Sequence, residues 1–109
     1  MARSFDCPYL GAQVELTDER EAHVRQKHSD LLARGFDLIT LALADPDLIR
    51  RDPQAPNTLK FSRWYDEGDR GRHAVVIVVR DQATAARNWV VTAFPARRIP
   101  EGDVIWRRS

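Results

Sequence analysis

The chain has 109 residues, 43% of them hydrophobic and 30% charged, with one cysteine and a formal net charge of +1. That balance suits a single domain (1–109) with a real core, excludes a disordered or collagen-like chain, and leaves open a longer parent protein. A lone cysteine excludes an internal disulfide framework and fits a reducing, cytoplasmic compartment; no apolar run is long enough to span a bilayer, and no secretory signal pattern opens the sequence.

Residues 1–16 contain Pro8 and Gly11 with little periodicity and read as an irregular lead-in, in which Val14 and Leu16 suggest a short edge strand. Thr17 has the character of a helix N-cap, followed by Asp18 and Glu19 where the helix dipole favours anions. A first helix is expected over Asp18–His28 and a second over Phe36–Ala44, the latter apolar nearly all round and stopped by Asp45-Pro46. Leu48–Arg50 is a short strand candidate, and Arg51–Asn57, with its two prolines, reads as a loop. Three stronger strands follow at Thr58–Tyr65, Arg72–Arg80 and Asn88–Phe94, joined by turns at Asp66–Gly71 and Gln82–Arg87. Residues 99–109 read as a tail that packs Ile105 and Trp106 onto the body. The expected fold class is α+β: two N-terminal helices packed on a four-stranded antiparallel meander, leaving the other face open as a cleft.

Charge is unevenly divided along this frame. Residues 1–58 hold seven Lys/Arg against ten Asp/Glu, and residues 59–109 hold ten against six. Arginine outnumbers lysine fifteen to two, and guanidinium forks suit bidentate phosphate contacts, although composition bias alone gives the same total. Arg50, Arg80, Arg97 and Arg98 lie in strands or at their ends, where a phosphate track needs cations. Solvated loop arginines are the plainer account of Arg97 and Arg98. Trp64 and Trp89 are candidates for base stacking, against ordinary core packing.

His23 and His28 are the leading acid/base candidates, since imidazole titrates near neutral pH. Their i, i+5 spacing sets them about 140° apart on an ideal helix, so they converge only if the helix unwinds near His28. The same spacing disfavours a helical two-histidine zinc site. The plainer alternative is two surface histidines, and His73 reads as structural. Parity places Leu59, Phe61, Arg63 and Tyr65 on one strand face and Val90, Thr92 and Phe94 on one face of another. Arg63 then either meets an acidic group such as Asp81 or lines a site. Thr92 is a good β-former or a hydroxyl donor at the cleft.

Taken in order, His23-Val-Arg-Gln-Lys-His28, Ala44-Asp45-Pro46-Asp47, Phe61-Ser-Arg63-Trp-Tyr65, the valine-rich strand and Val91-Thr92-Ala93-Phe94 resemble the phage- and bacterium-associated domains of the barnase–EndoU–colicin–RelE-like (BECR) nuclease fold. The likeness covers about residues 17–98. It implies a metal-independent endoribonuclease, toxin-like or prophage-derived, without a cofactor. Such an enzyme attacks with the RNA 2′-hydroxyl, and an antitoxin or immunity protein is a conceivable partner. Carried over by position, His23 and His28 supply acid and base, Arg63 clamps phosphate, Thr92 lies at the cleft floor, and Tyr65 assists as an orienting donor. Phe94 stands where the pattern leads one to expect tyrosine. The competing readings are a catalytically inactive RNA- or protein-binding module on the same scaffold, and a domain with no ligand.

Overall fold

The computed structural model describes residues 2–33, 35–81 and 87–109. Strands β1 (Arg3–Cys7) and β2 (Ala12–Leu16) come first, followed by α1 (Asp18–Lys27), a 3-10 turn (Ser29–Leu32) and α2 (Asp37–Ala44). Then come β3 (Leu48–Asp52), β4 (Ala55–Glu67), β5 (Arg70–Asp81), β6 (Arg87–Ala96) and β7 (Asp103–Arg107). All seven strands join one sheet in the order β1-β2-β6-β5-β4-β3-β7. Neighbours are antiparallel except for β2 and β6, which run parallel through the Glu15–Trp89 pair.

This corrects the expected fold class: the sheet is seven-stranded and mixed, not a four-stranded antiparallel meander, and a hairpin precedes the helices. The irregular lead-in expected there is instead that hairpin, Arg3–Leu16. Phe5 pairs with Val14, Cys7 and Leu16 share their face, and all four are buried. The turn closes through Leu10 N–H to Cys7 O (3.1 Å) and Gly11 N–H to Pro8 O (3.0 Å), with Gly11 at φ 63°, a conformation that glycine adopts without steric cost. Residues 99–109 are not merely a tail, because they contain β7 on the far edge against β3. The loop expected at Arg51–Asn57 shrinks to Pro53-Gln54 between β3 and β4. The turn expected at Gln82–Arg87 lies, but for Arg87, outside the described residues.

The first helix begins where the chain chemistry directs. Thr17 accepts a hydrogen bond from Arg20 N–H (3.2 Å) and caps α1, whose first turn carries Asp18, Glu19 and Glu21 and whose last carries Arg25 and Lys27. Only Val24 of α1 is buried. In α2, Leu38, Ile39, Ala42 and Leu43 are buried while Leu41 stands exposed, so the helix is one-sided although its sequence is apolar almost all round. These side chains meet Leu59 and Phe61 of β4, Val76 and Val78 of β5, and Val90 and Ala93 of β6. None of the described helices is long and apolar enough to cross a membrane.

The face opposite the helices is not fully open. Strands β6 and β7 are separated by β5, β4 and β3, so residues 97–102 must cross the sheet. Four inter-strand gaps of about 4.8 Å span roughly 19 Å, close to the reach of six extended residues, so the crossing is direct. Arg50 Nη1 donates to Pro100 O (3.1 Å) and Lys60 Nζ donates to Glu101 O (2.6 Å). Arg50 and Lys60 are paired opposite each other, one position away in each strand from Ile49 and Phe61, which face the helices. The crossing therefore runs over the helix-free face. It accounts for burial there of Val75, Ser62 and Leu48, which no helix covers.

Candidate functional site

Strand register decides which predicted residues meet. Arg63 and Tyr65 continue the Leu59–Phe61 alternation and lie on the helix side. Arg63 Nη1 donates to Asp45 O (2.8 Å) and to Asp45 Oδ2 (2.9 Å), with Asp47 Oδ1 at 4.0 Å. It is a tie between β4 and the end of α2. The acidic partner is Asp45 and not Asp81. Tyr65 is half-buried and packs against the core.

Thr92 lies on the other face. It pairs with Ile77, whereas the next β5 residue, Val78, pairs with Val90, so a bulge at Val91 breaks the alternation of β6. Val90 faces the helices while Thr92 and Phe94 face away, which corrects the expectation that the three share a face. Arg63 and Tyr65 therefore do not converge with Thr92. Arg80 is two residues beyond Val78 and also lies on the helix side, its Nε buried without a partner among the described residues. Arg50 shares the face of Thr92 but is tied to Pro100. Arg97 and Arg98 are exposed where the chain leaves β6.

His28 does reach that face. Strand β2 pairs with β6 only near its start, leaving the later edge of β6 to α1, which packs against it. At the end of α1 the chain unwinds: His28 has φ −141° and ψ 54°, and its N–H still donates to Val24 O (2.7 Å). Its ring lies 5.7 Å from that of Phe94, centroid to centroid. His23 remains half-buried within α1, one residue from the inward Val24.

The third imidazole, His73, which its place at the start of a strand marks as structural, sits on this face as well. His73 is paired with Ala96 one same-face step along from Val75–Phe94, so it shares the helix-free face. The indole of Trp64 approaches it edge-on, with ring centroids 5.0 Å apart. Burial pushes the His73 pKa below its ordinary value, with Asp47 pulling weakly the other way, and Nδ1 is buried without a partner among the described residues. Periodicity was the available signal, since His73 shares its parity with Val75.

Beside this hairpin, Arg70, Gly71, Arg72 and Arg97 line a groove of about 480 Å³. Comparison with family models, curated proteins and solved structures finds no match to this chain.

Proposed function

We propose that this domain acts on single-stranded RNA at the face opposite its helices, cleaving it through the 2′-hydroxyl with His28 as an acid/base group. The supporting observation is the placement of His28 against Phe94, over the sheet edge and on the face that carries Thr92. Transphosphorylation needs a base for the 2′-hydroxyl and an acid for the departing 5′-oxygen. His28 is one such group. His73, on the same face and held toward its neutral form by burial, is the candidate for the base. Arg63 and Tyr65 have no part in this reading, because their side of the sheet is covered by α2.

The test is incubation of the purified chain with unstructured RNA in EDTA. Cleavage with a cyclic-phosphate product, lost in His28→Ala and in His73→Gln, is expected. Cleavage that survives both substitutions, or none by the unmodified chain, overturns it. A second reading, a binding module without chemistry, is favoured by one observation: Arg50, the strand arginine on the Thr92 face, is committed to Pro100. Salt-sensitive RNA binding with the RNA left intact selects that reading.

A further inference from the structure

The groove at the end of the β4–β5 hairpin joins two features that nucleic-acid surfaces use together. Arg70 and Arg97 are exposed and Arg72 half-buried, and none of their three side chains makes an ion pair or hydrogen bond among the described residues. Several other guanidinium groups are spoken for: Arg63 and Arg108 by Asp45 and Asp47, and Arg87 by Glu15. Three uncommitted guanidinium groups around one groove make a site for anionic oxygens. Gly71 lines that groove, and its bare backbone lies directly beneath the indole of Trp64. Trp64 is 45% exposed despite its size, and its ring is fixed between Gly71 and His73. Strand β6 ends opposite His73, so β5 has no strand beside Gly71 on that side. Arg70 and Arg72 alternate with Gly71 and so project to the opposite face from the indole, and a chain reaches from the groove to Trp64 by rounding this open strand edge.

We infer that Arg70, Arg72 and Arg97 hold a phosphodiester of single-stranded RNA whose adjacent base stacks on Trp64. This subsite lies at the hairpin end, beside His73 and apart from His28 and Thr92. It rests on the proposal that the domain acts on RNA, and it supplies the strand-holding element that the displaced Arg63 does not. The phosphate contact is independent of sequence, and a single stacking platform accepts any base, so the substrate class is unpaired RNA of broad sequence.

The experiment uses an octamer of 2′-O-methyl uridine, which cannot be cleaved, titrated against the intact chain while tryptophan emission is followed. Binding with quenching and a steep fall with salt is expected. Arg72→Gln combined with Arg97→Gln should weaken binding about tenfold or more and lower the log–log salt slope by about 0.7, the value for one single-stranded phosphate. Trp64→Leu should remove most of the quenching and weaken binding roughly fivefold to a hundredfold, leaving the salt slope unchanged. All three positions are at least partly exposed, and circular dichroism checks that the variants fold. Undiminished binding by the double arginine variant overturns the subsite while leaving RNA recognition standing. Inorganic phosphate displacing the octamer at equal concentration also overturns it, by making the groove a free-anion site. Failure of the unmodified chain both to bind the octamer and to cleave RNA removes the underlying proposal as well.

Discussion

The indole of Trp64 fills the space that a side chain on Gly71 would take: a Cβ at Gly71 would overlap Trp64 Cζ2. The two residues are diagonal neighbours on paired strands, since Trp64 pairs with His73 and Asp66 with Gly71. Glycine normally weakens a strand, and here an aromatic ring covers the exposed backbone. Gly71→Ala should push the indole outward and cost about 1 kcal/mol, at the lower end for overpacking because the ring has solvent to move into. In a Trp64→Ala background the same change should become neutral or stabilising, as alanine outperforms glycine in an extended strand. Urea unfolding of the four proteins measures this, and equal costs in both backgrounds contradict the packing account.

Acid should loosen the hairpin through His73. Its folded pKa lies below the ordinary 6.5 because burial disfavours the imidazolium. Between the folded value and 6.5 the unfolded chain binds more protons, so stability rises with pH through that window. It is complete above about 6.5 and is lost as pH falls toward the folded value. His73→Gln should flatten this part of the stability curve. An unchanged slope there would mean that the ring is solvated in the folded state.

Asp45 and Asp47 tie three segments together. Arg108 Nε donates to Asp47 Oδ1 (3.2 Å) and its Nη2 to Asp45 O (2.6 Å), while Trp64 N–H donates to Asp47 Oδ2 (2.6 Å). The Arg108 hydrogen bond, more than any other influence, holds the Asp45 carboxyl below the usual carboxylate range, with Arg63 adding to it. A carboxylate with a depressed folded pKa contributes stability above its unfolded value and loses it as pH falls through the folded one. Exposed ion pairs are weak and screened, so Asp45→Asn should have a small effect that shrinks in about 1 M salt. Asp47→Ala should cost more, about 1–2 kcal/mol, and persist in salt, because a strand N–H loses its acceptor. Denaturant midpoints at two salt concentrations decide it. A salt-sensitive Asp47 effect would assign its role to charge alone.

Much of the frame is legible in the chain, in ways that trace to particular residues. Thr17 with its acidic followers marks α1, Asp45-Pro46 marks the end of α2, and the Val75–Val79 run marks a central strand. The first hairpin is carried by two short inward pairs, Phe5/Cys7 and Val14/Leu16. Pro8 and Gly11, which make its turn, look from the sequence like the absence of structure. β7 hides for a related reason: a register shift between Ile49 and Arg50 disturbs its alternation against β3. At the candidate site, parity groups Arg63 correctly with Leu59 and Phe61, but parity does not say which face the helices cover. The bulge at Val91 defeats parity altogether and separates Thr92 from Val90. The crossing of residues 97–102 depends on β7 taking the far edge, a pairing set by contacts far apart in the chain.

Cys7 is the remaining reactive group, and its surroundings predict that it is inert. It is 1% exposed in β1, and burial raises its pKa above the ordinary 9.0. The N–H groups of Leu10 and Tyr9 oppose that rise, as does the charge of Arg80, without overcoming it. Because the thiolate is the nucleophile, both low access and a raised pKa slow attack. Ellman's reagent at pH about 8 should label the folded chain far more slowly than the urea-unfolded one, where the thiol titrates at its ordinary value. Arg80→Gln should slow labelling further, since it removes a cation favouring the thiolate, and should not speed it. Rapid labelling of the folded protein, equal to that in urea, would mean that the β1–β2 hairpin opens readily.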